Sequence, residues 1–261
     1  MTERRTRIPR LLLVATAAGA AGAVLPVGIA LAGAVALEEI VVTATRRPAA
    51  SLATPLSLGA VDGDAIRLLG ATHHAEVLNR VPGVMIQRGS GQESLTAIRS
   101  PVLTGAGSCG AFLFLENGVP IRPVGFCNVN ELFEVNTEQA GSIEVLRGPG
   151  TALYGSSAMH GTVNVLQPAP DGRPLRGVGL EAGPSDYGRV KLAGRFDAGT
   201  TAYGVAGHYT HDGGWRDESG FDEAKFNATA QGRWRDAPAR LDLAVTYLDQ
   251  ETAGFITGQG A

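Results

Sequence analysis

Apolar and polar residues alternate along four segments in the C-terminal third of the chain. Because successive side chains of a β-strand point to opposite faces, this pattern predicts strands of about 8–10 residues, each with one apolar and one polar face. Strands of this kind suit a transmembrane β-barrel, although a soluble sandwich with one solvated face shows the same alternation. The apolar positions are Val190, Leu192, Gly194 and Phe196; Tyr203, Val205, Gly207 and Tyr209; Phe226, Ala228, Ala230, Gly232 and Trp234; and Leu241, Leu243, Val245 and Tyr247.

The connections between these segments favour the barrel. Short connections at 197–200 and 236–239 alternate with a long one at 211–224. Membrane barrels have short turns on the periplasmic side and longer loops outside. The aromatic residues Tyr209, Trp234 and Tyr247 also fall near predicted strand ends, where barrels carry aromatic girdles.

Residues 56–166 show a different pattern, in which the elements are short and mixed. The sequence predicts short helices at 64–69 and 74–78. Apolar runs predict strands at 84–87, 112–115, 119–121, 143–146 and 163–166. Glycine is abundant, at 36 of 261 residues, and this suits tight turns and argues against long helices. We therefore expect an α+β domain to precede the strands.

The N-terminus has the order of a secretory signal. Four arginines lie in residues 1–10, residues 11–35 carry no charge, and the small-residue site Ala34-Val35-Ala36 follows. A membrane-spanning anchor is the alternative, because about 20 apolar residues can cross a bilayer. The stretch is mostly Ala and Gly and contains Pro26, so a cleaved signal at 1–36 is the expectation.

Charge and chemistry exclude several classes of function. The net charge is −3 and the only lysines are Lys191 and Lys225, so no basic face for nucleic acid is expected. No combination of nucleophile, base and acid emerges, and we predict neither an enzyme nor a cofactor. Adjacent His73 and His74 would point about 100° apart on a helix, which favours a solvated face over a metal site.

Export gives a role to the two cysteines, Cys109 and Cys127. In an oxidising compartment an isolated pair usually forms a disulfide. Two buried thiols are the alternative. A metal site is disfavoured, because the pair lacks a Cys-x-x-Cys spacing and a nearby histidine.

Several segments then resemble one family, the TonB-dependent outer-membrane receptors. Residues 39–44 (EIVVTA) resemble a TonB box. Val81-Pro82-Gly83-Val84, the turn at 115–121 and the run at 143–165 (IEVLRGPGTALYGSSAMHGTVNV) resemble the plug domain of these receptors. The resemblance covers roughly residues 38 to 250 and implies a signal peptide at 1–36, a TonB box segment at 37–47, a plug at 48–170 and barrel strands from 171 to 261.

The resemblance also implies a function. Such receptors lie in the outer membrane of Gram-negative cells, hold a plug inside a 22-stranded barrel and import scarce nutrients, most often ferric siderophores. Cobalamin, haem or carbohydrate receptors share the motifs, and a plug-only binding fragment is a further alternative. The implied partner is TonB with its inner-membrane energising complex. An extended β-branched segment can add as a strand to a partner's sheet, so the expected TonB contacts are Glu39, Ile40, Val41, Val42, Thr43 and Ala44.

Two further sets of residues follow from the same resemblance. Charges in or next to apolar strands need partners, and the family places such residues in ion pairs between plug and barrel; these are Arg99, Glu144 and Arg147. The plug's apical loops would face outward and contact a ferric chelate, and arginine suits an anionic chelate. The candidate ligand contacts are Gln87, Arg88, Arg122, Phe126 and Asn128.

The length of the chain limits this interpretation. The pattern leaves room for only about five of the expected 22 strands, and five strands cannot close into a barrel. An open sheet edge in lipid would leave backbone groups unpaired. We therefore expect the sequence to be the N-terminal part of a longer receptor.

Overall fold

A computed structural model describes residues 41–43, 46, 49–50, 54–101, 112–121, 131–155, 157–170 and 177–252. Residues 54–170 form the predicted α+β domain, and residues 177–250 form a sheet of consecutive antiparallel strands, here called the meander. Within the described residues, no helix is long and apolar enough to cross a membrane.

The elements up to residue 166 are short, as the sequence predicts. In chain order they are β1 (Val41–Val42), β2 (Ala49–Ala50), β3 (Leu58–Asp62), α1 (Gly63–Leu69), α2 (His74–Leu78), β4 (Val84–Arg88), β5 (Ser94–Ile98), β6 (Phe112–Glu116), β7 (Val119–Pro120), a 3-10 helix (Glu131–Glu134), β8 (Ser142–Arg147), α3 (Thr151–Tyr154) and β9 (Gly161–Leu166).

The α+β domain is built on a five-stranded sheet in the order β3-β8-β9-β6-β7. Strands β6 and β9 are parallel and the other pairs are antiparallel. Strands β6, β8 and β9 are buried on both faces, which explains their nearly continuous apolar sequences. The main core lies on one face of the sheet, where Phe114, Ile143 and Val163 pack against Ile66 and Leu78 of the two helices.

Helix α1 has clear signals at both ends. The Asp62 side chain accepts a hydrogen bond from the Ala65 backbone N–H at 2.7 Å, which satisfies one of the free donors at the start of the helix. Gly70 ends the helix with φ of +59°, a left-handed conformation that glycine adopts without strain. These caps confirm the predicted short helix.

Strand β5 is the element that the sequence pattern missed. It pairs with β4 in a separate two-stranded sheet, with Val84 opposite Ile98. Ser94 and Thr96 are buried on the same face of β5 as Ile98, and Ala97 is buried on the other face, so polar and apolar residues do not alternate along this strand. A search for apolar alternation does not detect such a strand.

The meander contains five strands within the described residues, in agreement with the number expected. They are β10 (Gly177–Ala182), β11 (Gly188–Ala198), β12 (Thr201–Asp212), β13 (Phe221–Trp234) and β14 (Ala237–Gln250), and each pairs with the next. The turn between β13 and β14 consists of Arg235 and Asp236, both with positive φ, as tight hairpin turns require. A two-residue turn also joins β11 to β12, whereas residues 213–220 connect β12 to β13 at the opposite end.

The two faces of the meander have opposite character. The inner face lies against the α+β domain and buries polar side chains, with Lys225 at 2% exposure and Thr229 at 7%. The outer face carries large apolar side chains in the open, with Leu180 77% exposed and Leu241 71% exposed. The strands, their alternation and their order after the α+β domain confirm the predicted fold class.

Candidate functional site

Four buried charged or titratable groups meet where the α+β domain touches the inner face of the meander. Lys225 of β13 lies 3.3 Å from a carboxylate oxygen of Glu138 in the α+β domain and 3.2 Å from one of Glu223. His208 of β12 contacts Glu223 at 3.1 Å. The side chains of Lys225 and Glu138 are each only 1% exposed, so the two charges depend on each other for compensation. We call these four residues the buried charge cluster.

The pKa of Glu138 reflects this arrangement. Burial by itself raises the pKa of its carboxyl group, but the Lys225 ammonium, supported by His208, outweighs burial and brings the pKa below its ordinary value. Glu138 is therefore ionised near neutral pH and bridges the α+β domain to the meander.

A second contact joins an arginine of the meander to the end of helix α1. Arg189 of β11 is 3% exposed. Its guanidinium donates to the backbone carbonyls of Ala71 at 2.7 Å and Gly70 at 3.2 Å, and also to the Glu181 carboxylate at 2.8 Å. The last carbonyls of a helix have no partner within the helix, so Arg189 supplies donors that α1 itself cannot.

Further side-chain hydrogen bonds extend the interface in both directions from the buried charge cluster. Near the two-residue turns, the Asn227 amide donates to the Glu116 carboxylate at 2.6 Å. At the other end of the strands, Arg216 in the 213–220 connection donates to the Ser90 hydroxyl at 2.7 Å. The Gln250 side chain accepts from the Gln92 backbone N–H at 3.1 Å nearby. The loop between β4 and β5 thus lies at the same end as the long connection.

The N-terminal segment lies against the α+β domain as well. Val41 and Val42 pair with Ala50 and Ala49 in a short antiparallel ladder. The Thr43 backbone N–H donates to both oxygens of Glu144, at 2.8 and 2.9 Å. Of the six expected TonB contacts, the described residues include Val41, Val42 and Thr43; Glu39, Ile40 and Ala44 lie outside them.

The three residues expected in ion pairs between plug and barrel make other contacts. Glu144 binds Thr43. The Arg147 guanidinium donates to the carbonyls of Ser57, Leu58 and Pro82, all within the α+β domain. Arg99 is exposed, and no carboxylate in the described part of the chain pairs with it. Within the described residues these contacts stay inside the α+β domain and the N-terminal segment, and the predicted pairing with the barrel stays a prediction.

Some of the residues that bridge the two regions had a signal in the sequence. Glu223 falls in the predicted 211–224 connection, whereas Arg189, His208 and Lys225 occupy polar positions in or directly next to the alternating strands. The alternation assigns them to the inner face of the sheet. A lysine on a buried face, such as Lys225, requires an acidic partner. Glu138 could not be identified in this way, because it lies in a segment without regular secondary structure.

Two of the candidate ligand contacts are placed by the structure. Gln87 and Arg88, at the end of β4, are exposed beside the loop that contains Ser90 and Gln92. Arg88 also lies 3.7 Å from the Glu76 carboxylate. The other three, Arg122, Phe126 and Asn128, fall outside the described residues, as do Cys109 and Cys127 with their predicted disulfide.

The expectation of solvated histidines was wrong. His73 and His74 are both fully buried. His73 caps helix α2 in an extended conformation, with its Nδ1 accepting from the Ala75 backbone N–H at 3.0 Å. Because His73 precedes the helix, the angle of about 100° between neighbouring helical residues does not apply to His73 and His74. Burial is the main cause that lowers the pKa of both histidines. The pKa of His73 falls to about 3, and the pKa of His74 falls well below 6.5. Among the described residues, no group of three potential ligands could hold a metal ion.

Comparison with known families identifies the α+β domain. Residues 50–162 match the family model described as the TonB-dependent Receptor Plug Domain. The α+β domain is thus similar to the plug of a TonB-dependent receptor. The α+β domain is called the plug from here on.

Relatives extend the match beyond the plug. The chain is 27% identical over 226 residues to a hemin receptor of Yersinia pestis, a match that covers 81% of this chain and 32% of that protein. Among solved structures, the Pseudomonas aeruginosa receptor FpvA bound to heterologous pyoverdines is similar at a TM-score of 0.63 and 18% identity, over 80% of this chain and 27% of FpvA. The ferric yersiniabactin uptake receptor FyuA of Y. pestis matches at a TM-score of 0.56 and 23% identity, over 75% of this chain and 32% of FyuA.

These matches cover the meander together with the plug, so the meander has the fold of the barrel strands in such receptors. The chain spans about a third of the length of the curated relative it matches.

Proposed function

We propose that this chain is part of an outer-membrane receptor that imports a ferric chelate with energy from TonB. The observation that carries the proposal is the packing of a plug, through buried polar contacts, on the inner face of strands whose outer face is apolar. A plug held by hydrogen bonds and ion pairs can separate from its surroundings without exposing an apolar core, whereas an apolar interface would resist hydration. Such an interface suits a plug that must move during transport.

The outer face supports a location in the membrane. The strand register puts Tyr209 and Tyr247 at one level, on either side of Ala224, and puts Phe196, Tyr203 and Leu241 at another. The two levels are six residues apart along β12, or roughly 20 Å at about 3.4 Å per residue. Because barrel strands tilt by about 35–45°, this corresponds to roughly 15 Å across the membrane, which lies within the apolar band of about 25 Å that aromatic girdles border in outer-membrane barrels.

The nature of the substrate is proposed from the relatives. The matched proteins are named for hemin, pyoverdine and ferric yersiniabactin, and iron chelates are their shared chemistry. In our proposal the end with the 213–220 connection faces outward, and Gln87 and Arg88 contact the chelate there. Arg88 would supply a donor to an anionic ligand.

Uptake by the full-length receptor tests the proposal. Cells that depend on this receptor for iron should grow on one of a panel of ferric siderophores or on haem, and the purified receptor should bind the same compound. Growth on cobalamin or a carbohydrate alone, with no iron chelate bound, would contradict the proposed substrate class.

A single substitution tests the coupling to TonB. Proline at position 41 removes a backbone donor and disfavours strand addition, so Val41→Pro should abolish uptake and leave chelate binding unchanged. Val119→Pro, at an exposed position of the plug far from the N-terminal segment in sequence, serves as the comparison for a proline placed elsewhere. Normal uptake by the Val41→Pro receptor would refute the coupling.

A further inference from the structure

An amide side chain of the plug contacts the meander beside the buried charge cluster. Gln139 follows Glu138 in the loop between the 3-10 helix and β8, and its amide NH2 donates to the Leu192 backbone carbonyl of β11 at 3.0 Å. Because a carbonyl can only accept, this bond fixes the orientation of the Gln139 amide. The other end of the amide, Oε1, is therefore an acceptor.

Asn136 supports the same orientation. Its Oδ1 accepts from the Gln139 backbone N–H at 3.2 Å, so the other end of the Asn136 amide is its NH2. That NH2 donates to Gln139 Oε1 at 3.3 Å. Backbone groups at both ends of this network thus determine that Gln139 Oε1 accepts hydrogen bonds and cannot donate them.

The same oxygen lies next to His208 of β12. It is 3.4 Å from His208 Nδ1, and a carboxylate oxygen of Glu223 is 3.1 Å from His208 Nε2. Neither partner can donate when Glu223 is ionised, whereas a neutral imidazole carries only one N–H. Both contacts are therefore hydrogen bonds only when the His208–Glu223 pair holds one proton more than a neutral ring and a carboxylate.

The extra proton belongs on the imidazole ring. An imidazole binds a proton more tightly than a carboxylate does, and the Lys225 ammonium, 3.2 Å from the other Glu223 oxygen, stabilises that group as a carboxylate. The buried charge cluster then contains two carboxylates, one ammonium and one imidazolium, and its net charge is zero. With a neutral His208, whose side chain is fully buried, the cluster would keep one uncompensated negative charge.

Charges on the neighbouring strands of the meander act against a charged ring. Lys191 of β11 lies directly opposite His208, and Arg189 is two residues away on the same strand. Both cations pair with the Glu181 carboxylate of β10, so this group carries one net positive charge. It weakens proton binding at His208 but leaves both acceptors of the ring in place.

The plug presents two titratable groups to the cluster. Glu138 lies 3.3 Å from Lys225, and its negative charge also interacts with His208 and favours the charged ring. His73, at the start of α2, lies close enough to be affected by both Glu138 and Lys225, but it is neutral near physiological pH because burial lowers its pKa to about 3. The plug thus adds one negative charge and one hydrogen-bond acceptor to the surroundings of His208, and both favour a second proton on the ring.

We propose that His208 is a proton-binding site that couples docking of the plug to pH. Gln139 and Glu138 come from the plug, whereas Glu223 and Lys225 come from the meander. A displaced plug takes away the acceptor of Nδ1 and one negative charge, and Glu223 and Lys225 then balance each other. The proton bound in the docked state is therefore released near neutral pH when the plug is displaced. Its release during transport rests on the proposed function, but the proton site itself does not.

Nitrogen NMR of the full-length receptor in lipid bilayers, with labelled histidine, tests the site without TonB or substrate. The His208 signals are identified by their loss in His208→Gln, or in His208→Asn should the first variant fail to fold. They should show both ring nitrogens protonated at pH 8, where a free imidazole is about 97% neutral. A ring nitrogen of His208 without a proton at pH 8 would overturn the proposal.

Gln139→Leu tests the contribution of the plug. This change removes the acceptor of Nδ1 at similar volume, so proton binding at His208 should weaken about tenfold, the scale of one hydrogen bond to a charged group. The same NMR signals followed above pH 7 measure the effect. Glu134→Gln removes an exposed carboxylate of the plug outside the cluster and should leave proton binding unchanged. Equal proton binding in Gln139→Leu and the wild type would refute the coupling to the plug.

Urea unfolding of the full-length receptor measures the coupling as stability. From pH 7 to 8 the unfolding equilibrium constant of the wild type should rise about eightfold relative to that of His208→Gln, because the folded receptor keeps a proton that the unfolded chain has lost. The stabilisation is complete below about pH 6.5 and is lost as the pH rises, which is opposite in sign to the effect of His73 and His74. Parallel pH profiles of the wild type and His208→Gln would contradict the proposal.

Discussion

The plug and the meander bury opposite kinds of side chain. In the plug, Phe114 and Ile143 are hidden and charged residues such as Asp64 are exposed. In the meander, Lys225 and Glu223 are hidden, while Leu180 and Leu241 lie in the open. One chain thus follows two burial rules, because its two regions have different surroundings. The plug separates apolar groups from water, and the meander directs its polar groups to the plug and its apolar groups outward.

The core of the plug should give the largest effect on stability. Phe114 is 1% exposed and Leu243, on the outer face of the meander, is 54% exposed. Phe114→Ala should lower the free energy of unfolding by about 4 kcal/mol, because it loses apolar burial and leaves a cavity. Leu243→Ala should change it by about 0.5 kcal/mol or less. Urea unfolding of the detergent-solubilised receptor measures both, and equal losses would remove the contrast between the regions.

The two lysines test the polar interface. Lys225→Met leaves Glu138 and Glu223 buried without their cation and should cost about 3 kcal/mol. Lys191 pairs with Glu181 at a more accessible site, with side-chain exposures of 25% and 29%, so Lys191→Met should cost less than about 1 kcal/mol. The same unfolding measurement applies. A loss at Lys191 as large as that at Lys225 would mean that burial does not determine the strength of the contact.

The buried histidines should make the plug sensitive to acid. The pKa values of both are lowered in the folded state, so their stabilising contribution is complete above about pH 6.5 and is lost as the pH falls. The unfolded chain binds protons that the folded plug excludes. Between pH 7.5 and 5.5 each histidine should lower the unfolding free energy by roughly 1 kcal/mol.

His74→Gln should reduce this pH dependence by about half, whatever it does to stability at pH 7.5. An unaltered pH profile in His74→Gln would show that His74 titrates freely and is not buried as described.

Local patterns predicted most of the fold. Alternation of apolar and polar residues identified β11 to β14, and apolar runs identified β6, β8 and β9. Both patterns arise because these strands face apolar surroundings on at least one side. Strand β5 was missed since Ser94 and Thr96 are buried on the same face as Ile98, which breaks the alternation. The sequence shows which face a residue occupies but not whether that face meets an apolar or a polar surface.

The contacts of the candidate site were less predictable. The alternation places Lys225 on the inner face, yet its partner Glu138 comes from a loop 87 residues away, and no local pattern encodes that distance. Arg147 was assigned to the barrel because a charge beside a strand needs a partner. Among the described residues it donates to three backbone carbonyls of the plug, and the pairing with the barrel stays a prediction. The type of partner needed was predictable, and its identity depended on the tertiary fold.

The scarcity of lysine has a practical consequence for testing the proposed transport. Both side-chain amines of the sequence lie on the inner face of the meander, one nearly inaccessible and one partly accessible. An amine-reactive reagent applied during transport should therefore modify Lys191 at a steady rate and Lys225 only while the plug is displaced. The ratio of the two adducts, measured by mass spectrometry, would then report how long the plug stays displaced. The measurement needs no engineered label.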